Sequence, residues 1–239
     1  MNALAQTIID AHGGLTQWRK FTRIRANLEQ DGVLWPLKGQ AGVLDRTSVT
    51  VATDRQWASH APFGRLAARS DFAGSRVALL DADEHVIDAS DQPRASFDGH
   101  VLETRWDALQ LAFFAGCAMW TYLNTPFVLA WDDVECEDAG RWDERGETWR
   151  KIVVRYPGSL EVFSKVQAIY VDSDHLVRRL DYDVEIAGNT PGAHYVDGYT
   201  TVSGIRIPTR RRIHPRQPDG TSVDEPLVVS IDLYDITLL

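Results

Sequence analysis

After residue 22 the chain consists mostly of short segments in which apolar and polar residues alternate. This period of two is the pattern of β-strands that bury one face. In residues 177–186, the even positions from 180 onward are apolar or aromatic, and the odd positions from 179 onward are charged. We expect the first face to meet a core or cavity and the second to meet water. Short turn sequences at 172–174 and 202–204 predict that neighbouring strands pair as antiparallel hairpins.

The N-terminal residues have a helical pattern instead. Apolar side chains such as Leu4, Ile8 and Ala11 recur there three and four positions apart, as on one face of an amphipathic helix. The pair of glycines that begins at Gly13 interrupts this pattern. We therefore predict a helical N-terminus over residues 2–21, with one helix ending near Gly13 and a short second helix after it.

The central segment 106–131, WDALQLAFFAGCAMWTYLNTPFVLAW, contains no charged side chain between Leu111 and Trp120. A membrane span needs about 20 predominantly apolar residues, and polar residues at both ends leave about 13 here, so we expect no stable membrane insertion. The segment instead predicts a helical insertion that fills a core, lines a cavity or forms the interface of a homodimer. Because it is apolar nearly all round, it has to be covered on more than one side.

These elements predict an α+β fold with a single domain over residues 1–239. Its strands form a single curved antiparallel sheet, an unclosed half-barrel wrapped over the N-terminal helix and a central apolar helical lid. Placing the lid inside the concave face meets two requirements, because the sheet has an apolar face to cover and the helix needs cover on several sides.

Composition and charge narrow the possible partners. Apolar residues make up 44% of the 239 residues, which is the balance of a globular protein. The net charge of −9 argues against nucleic acid as a partner, because phosphate backbones require positive fields. The N-terminus lacks the pattern of a signal peptide and the two cysteines form no CxxC motif, so we expect a cytoplasmic protein. We expect neither a metal nor a cofactor, because the sequence lacks the usual motifs for them.

The order of elements resembles that of the LolA-like lipoprotein carriers and related lipid-binding proteins. It consists of an N-terminal amphipathic helix, a long antiparallel meander, a central apolar helical insertion and a final run of strands. In those proteins an unclosed β-barrel wraps over helices, and the space between them holds acyl chains. The resemblance therefore implies a hydrophobic ligand. The C-terminal segment AHYVDGYTTVSGIRIPTRRRIHPR also looks similar to bacterial proteins with no established activity.

Three consecutive arginines in this segment suggest how a polar group could be held. Arg211 falls on the apolar side of its predicted strand, together with the neighbouring isoleucines. One interpretation is that it reaches into the cavity and holds a carboxylate or phosphate headgroup. The other is that it is a rim residue paired with Asp181 or Asp197. The hairpin turn at 202–204 places His194 near Arg211 or Arg212.

We therefore predict that the protein binds an apolar or amphipathic small molecule in the cavity of the half-barrel, as a carrier or sensor. The central segment supplies the apolar wall, and the last strands supply the polar end of the site. The predicted ligand-binding residues are Phe113, Phe114, Met119, Trp120, Phe127, Trp131, His194 and Arg211. The alternative is an enzyme of the isomerase, cyclase or hydrolase type that uses His194 and Asp197 for acid–base chemistry on a hydrophobic substrate.

Overall fold

The computed structural model describes residues 2–239, which form one sheet of 13 strands and four α-helices. The strands are β1 (Arg23–Asp31), β2 (Arg46–Ala52), β3 (Ala58–Ala61), β4 (Arg69–Ala73), β5 (Arg76–Leu80), β6 (Val86–Ser90), β7 (Glu135–Glu144), β8 (Glu147–Arg155), β9 (Val166–Val171), β10 (Val177–Val184), β11 (Thr190–Val202), β12 (Ile205–Pro215) and β13 (Val229–Leu238). The helices are α1 (Ala3–Ala11), α2 (Leu15–Trp18), α3 (Leu34–Leu37) and α4 (Ala108–Asn124). Short 3-10 helices lie at Pro93–Phe97, Phe127–Ala130 and Glu185–Ala187.

The sheet is an antiparallel meander that does not close. Its spatial order is β6-β5-β4-β3-β2-β1-β13-β12-β11-β10-β9-β8-β7. Strand β1 pairs with β13, so the beginning and end of the chain meet in the middle of the sheet. The two edge strands, β6 and β7, are consecutive in the sequence, and α4 lies in the connection between them. The predicted unclosed half-barrel is therefore confirmed, and α4 belongs to the segment that joins its two free edges.

Helix α4 is buried on nearly all sides, as its apolar pattern requires. It begins with a capping box in which the side chain of Asp107 accepts the backbone N–H of Gln110 at 2.8 Å and the side chain of Gln110 accepts that of Asp107 at 2.9 Å. Fourteen of its 17 residues are buried. Gly116 allows close approach to β4, because a Cβ at this position would collide with Phe72. The helix is thus covered by its own chain, and a homodimer stays a prediction. Within residues 2–239, no helix combines the length and hydropathy needed to cross a membrane.

Helix α1 packs into the same hydrophobic core as α4. The side chain of Asn2 caps its N-terminus by accepting the backbone N–H of Ala5 at 2.8 Å. Its apolar face buries Ala5 and Ile8, and the ring of Trp18 in α2 stacks on Phe127 with centroids 4.2 Å apart. The N-terminal helices therefore support the segment that follows α4.

The prediction that the charged face of β10 meets water is wrong at two positions. Arg179 and Asp181 are 0% and 6% exposed. Arg179 donates to both carboxylate oxygens of Asp181, at 2.7 and 3.0 Å, and to Glu144 at the end of β7, at 2.6 Å. It also donates to the backbone carbonyl of Gly220. The end of the β7–β8 hairpin and the loop at Gly220 cover this part of the outer face. Because these segments are distant in sequence, the alternation within β10 does not predict that they cover it.

Candidate functional site

A cavity of about 270 Å³ lies between α4 and the concave face of the sheet. One wall comes from α4, another from β12, β13 and the end of β10, and a third from α3. Its lining is almost entirely apolar. The lining residues Val33, Leu37, Pro191 and Pro226 are also exposed to solvent, so they mark the opening.

Two of the predicted ligand-binding residues, Phe114 and Met119, line this cavity. Helix α4 turns them to the same side as Ala115 and Ala118, because positions three and four apart share a helix face. The two alanines leave space beside the helix, while Phe114 is held by a stacked contact with Phe163 at 5.1 Å between centroids. One face of α4 thus forms a cavity wall with little polar surface.

Phe113, Trp120, Phe127 and Trp131 do not line the cavity. The first three are at most 2% exposed and belong to the hydrophobic core. Trp120 donates its indole N–H to the carbonyl of Arg55 at 2.8 Å, and its ring meets that of Trp131 edge-on at 5.2 Å. The segment therefore fills the core with some faces and lines the cavity with another. A role for these four residues in ligand binding stays a prediction.

Four side chains beside the cavity form what we call the polar array: Tyr122, Tyr182, His194 and Arg211. Tyr122 and Tyr182 line the cavity, and their hydroxyl oxygens are 2.7 Å apart. Nδ1 of His194 lies 3.3 Å from the hydroxyl of Tyr182, and its Nε2 lies 3.5 Å from Nη1 of Arg211. Nη2 of Arg211 donates to the backbone carbonyl of Tyr122 at 3.1 Å. Two residues predicted from the sequence are thus linked to two that line the cavity.

Strand register explains how the polar array assembles. His194 on β11 lies opposite Ile213 on β12, two residues from Arg211 and on the same face. Arg211 in turn lies opposite Ile231 on β13. Both isoleucines line the cavity, so the pairing places His194 and Arg211 beside its wall. The hairpin at 202–204 brings His194 to Arg211, as the sequence predicts.

Burial sets the charge of the polar array. Burial, and then the nearby Arg211 charge, lower the pKa of His194 well below 6.5, so its ring is neutral at pH 7. Burial lowers the pKa of Arg211 to about 10, which leaves the guanidinium charged at pH 7. Burial raises the pKa of Tyr122 to about 12 and that of Tyr182 well above 10. At neutral pH the array therefore carries one positive charge and no negative charge.

Arg211 has no carboxylate partner. It is 2% exposed, and no Asp or Glu oxygen of residues 2–239 lies within 4.0 Å of its guanidinium. Asp181 pairs with Arg179 and Asp197 pairs with Arg210, so the interpretation of Arg211 as an ion-paired rim residue is wrong for both proposed partners. The Nε–H of Arg211 also lacks an acceptor within the described chain. A buried charge without a partner is costly, which makes this side chain the most unusual feature of the site.

The geometry does not assemble the acid–base pair of the enzyme alternative. His194 is fully buried on the inner face of β11. Asp197 is three positions further along the strand, and its carboxylate accepts a hydrogen bond from Arg210 on the outer, exposed side. Residues an odd number of positions apart point to opposite faces of a strand. His194 and Asp197 are therefore separated by the sheet.

Several residues of the site are absent from the sequence-based prediction. Tyr122, Tyr182, Trp35 and Trp106 line the cavity. Tyr182 is on the apolar face of residues 177–186, which was a usable signal for an inward position. Trp35 lies in the single turn of α3, and no periodic pattern there indicates which way it points. The indole N–H groups of Trp35 and Trp106 are buried, and neither has an acceptor among the described residues.

The residues best placed to hold a metal ion lie outside the cavity. Ligand atoms of Asp81, Asp83 and His85, at the turn between β5 and β6, lie within 4.8 Å of one another. Oδ1 of Asp81 accepts the backbone N–H groups of Asp83 and His85, each at 2.9 Å. The turn itself therefore explains why these side chains are close together.

Comparisons with known proteins place the fold. Neither a family model nor a curated protein sequence matches the chain. Its structure is similar to that of a LolA superfamily protein from Nitrosomonas europaea, with a TM-score of 0.52 and 12% identity over 98% of this chain and 93% of the other. A DUF1329 family protein from Desulfovibrio piger gives a TM-score of 0.47 at 13% identity, covering 99% of this chain and 92% of the other. A putative outer membrane lipoprotein-sorting protein domain from Vibrio parahaemolyticus gives 0.46 at 10% identity, covering 98% and 90%.

These similarities concern the fold alone, because the sequences share so few residues. The LolA superfamily structure, the one of the three with a TM-score above 0.5, confirms the architecture that the order of elements implies. The likeness of the C-terminal segment with three arginines to other bacterial proteins stays a prediction. The chain has a LolA-like fold.

Proposed function

We propose that the chain binds an apolar or amphipathic small molecule, as a carrier or sensor, in the cavity beside α4. The observation that carries this proposal is the apolar cavity itself, which opens between the exposed side chains of Val33, Leu37, Pro191 and Pro226. Small-molecule sites are usually concave and apolar, with a few convergent polar groups. The fold supports the proposal, because in the carriers that the sequence resembles the corresponding space holds acyl chains.

The dimensions of the cavity limit the ligand. Its volume of about 270 Å³ is just below the range of about 300–1,000 Å³ that is typical of small-molecule sites. It suits one alkyl chain or one small ring system better than a lipid with several chains. In this proposal Phe114 and Met119 contact the apolar part of the ligand, and the thioether of Met119 adapts to its shape. Its polar end contacts Tyr122 and Tyr182, in front of the other members of the polar array.

Native mass spectrometry of gently purified protein, followed by solvent extraction, tests this proposal. We expect a reproducible mass excess that releases one class of apolar or amphipathic compound. Calorimetric titration with 1-decanol and with decanoate then measures binding of two simple single-chain probes. A protein that carries no extra mass and binds neither probe would not have the proposed function.

A filled cavity should lose this binding. Ala118→Leu adds a branched side chain to the lining, so we expect binding of either probe to weaken at least about tenfold. Ala108→Leu is the matched control, since it makes the same change in the first turn of α4, away from the cavity. Equal affinity in the two variants would place the ligand elsewhere.

A further inference from the structure

We infer that the ligand of this cavity is a monoanion, an aliphatic carboxylate, and that the uncompensated charge of Arg211 selects it. This inference rests on the proposed function and specifies its ligand. The charge of the polar array, the order of its hydrogen-bond donors and the unpaired donors around the cavity each support it.

The first observation is the charge. Arg211 has no carboxylate within 4.0 Å in the described chain, and its Nε–H lacks an acceptor. Its neighbours are neutral, because His194 is unprotonated and the tyrosines keep their protons at pH 7. Buried guanidinium groups are normally paired with anions. The chain itself does not supply that anion here.

The second observation is the direction in which the donors point. A guanidinium can only donate, so Nε2 of His194, which faces it at 3.5 Å, is the acceptor. The neutral ring then carries its proton on Nδ1, which donates to the hydroxyl of Tyr182 at 3.3 Å. The hydroxyls of Tyr182 and Tyr122 are 2.7 Å apart, and one donates to the other. In either direction one of the two tyrosyl protons is left without an acceptor among residues 2–239. The polar array therefore ends in a free O–H donor on a side chain that lines the cavity.

The third observation is that the unpaired buried side-chain groups on the residues lining the cavity are donors as well. The indole N–H groups of Trp35 and Trp106 are buried on residues that line the cavity, and neither finds an acceptor in the described chain. Leaving a buried donor unpaired costs free energy. A surplus of donors without acceptors favours a ligand whose polar atoms are oxygens that accept.

A carboxylate fits this arrangement better than a phosphate. The array offers one positive charge, which a carboxylate balances, whereas a phosphate monoester carries about −1.5 to −2 at pH 7. One carboxylate oxygen accepts the free tyrosyl O–H, a charge-assisted hydrogen bond. Arg211 lies behind Tyr122, 5.3 Å from its ring centroid, and stabilises the negative charge through an interior of low polarity. The remaining alkyl chain contacts the apolar wall formed by Phe114 and Met119.

Calorimetric titration at pH 7.5 with decanoate, 1-decanol and decyl phosphate tests the inference, because these probes share a chain and differ in charge. We expect decanoate to bind about 10- to 100-fold more tightly than 1-decanol, as a hydrogen bond to a charged group predicts. Decyl phosphate should bind more weakly than decanoate. Equal binding of acid and alcohol would overturn the inference and leave the proposed function intact, and tighter binding of the phosphate would overturn the choice of a carboxylate. If the protein bound none of the three probes, both the proposed function and this inference would be wrong.

Variants of the polar array assign the selectivity to its members. In Arg211→Met we expect the ratio of decanoate to decanol affinity to fall to about 1, with decanol affinity changed less than about twofold. Tyr122→Phe combined with Tyr182→Phe removes both hydroxyls that can present the free proton but keeps the rings. This double variant should lower the same ratio, which tests the inference independently of whether Arg211→Met folds. Arg210→Met is the matched control, since Arg210 is the adjacent residue and pairs with Asp197 on the outer face. A ratio that survives in both array variants would show that the array does not select the ligand.

Discussion

Arg179 and Arg211 are two buried arginines of the same sheet with opposite surroundings. They are 0% and 2% exposed. Arg179, on the outer face of β10, makes hydrogen-bonded ion pairs with Asp181 and Glu144. Arg211, on the inner face of β12, faces a neutral histidine and a backbone carbonyl and has no carboxylate partner in the described chain. Burial works against both charges, but Asp181 and Glu144 outweigh it at the first site, so the pKa of Arg179 is raised while that of Arg211 is lowered to about 10.

This difference separates a structural charge from a charge available for binding. The ion pairs of Arg179 tie the end of the β7–β8 hairpin to the outer face of β10, and every charge in that cluster has a partner. Arg211 ties nothing of opposite charge, so folding gains little from it. A charge that does not help the fold is better explained by a partner that arrives from outside.

Breaking the paired site should have the largest effect. Arg179→Met leaves the nearly buried carboxylates of Asp181 and Glu144 without their main cation. We expect the free energy of unfolding to fall by about 3–5 kcal/mol, because removing one member of a buried pair leaves an uncompensated charge. Urea unfolding followed by circular dichroism measures this change.

Arg178→Met is the control for that experiment. Arg178 is the adjacent residue, its side chain is 33% exposed and it only just approaches Asp172, at 4.0 Å. Such a surface pair is worth about 0–1 kcal/mol, so we expect a change in that range. Similar losses in the two variants would contradict the view that the Arg179 cluster holds the hairpin in place.

His60 is a buried titratable side chain that, unlike Arg211, is neutral at pH 7. It therefore does not bear the cost of an unpaired buried charge. It is 0% exposed, neither ring nitrogen has a hydrogen-bond partner among residues 2–239, and burial lowers its pKa from 6.5 to about 4. Between these pH values the unfolded chain binds a proton that the folded chain does not, so stability is lost as the pH falls below 6.5. We expect His60 to account for about 3 kcal/mol of this loss at pH 4, and His60→Leu to remove that part.

The measurement is the free energy of unfolding at pH 7 and pH 4 for wild type, His60→Leu and the exposed-site control His85→Leu. His60→Leu should change little at pH 7, because it removes no hydrogen bond within the described chain. Parallel pH profiles for wild type and His60→Leu would refute the assignment. His12, whose pKa burial also lowers to about 4, should keep part of the acid sensitivity in that variant.

The contrast between the two arginines also shows how far the sequence could lead. Alternation along β12 was enough to place Arg211 inside, and the turn at 202–204 was enough to place His194 near it, because both depend on local geometry. The same reasoning put Arg179 in water, since the groups that cover it are the carboxylate of Glu144 in β7 and the backbone carbonyl of Gly220. Pairing of distant segments decides which charges meet.

The sequence could predict an apolar cavity beside the central helix, but not which residues line it. The apolar pattern of α4 predicted burial on several sides, and the structure buries it so. Which of its aromatic side chains reach the cavity depends on the helix rotation, and that is fixed by contacts such as Gly116 against Phe72. Phe114 faces the cavity and Phe113 faces the core, although they are adjacent and chemically identical. Tyr122 lies on α4 and Tyr182 on β10, and their hydroxyls come together only when the helix packs on the sheet.

The smallest expected effect is the most informative. Arg211→Met removes a buried charge that has no carboxylate partner among residues 2–239, so no charged group of the described chain is left behind. It does release the carbonyl of Tyr122 from a 3.1 Å hydrogen bond, which costs about 1–3 kcal/mol if that carbonyl stays dry. Relief from burying the guanidinium offsets this cost. We therefore expect the free energy of unfolding to stay the same or rise by up to about 2 kcal/mol, measured in the same urea series as Arg179→Met.

The sign of the difference between the two methionine variants decides between the interpretations. If Arg211→Met lost as much stability as Arg179→Met, Arg211 would be a structural residue whose partner forms in solution, and its charge would need no ligand. A large loss at Arg179 with none at Arg211 would mean that the chain carries a charge its fold does not require. Residues of that kind are retained for function at a cost in stability. In that case decanoate should raise the melting temperature of the wild type and leave that of Arg211→Met nearly unchanged, because only the wild type gains the missing partner.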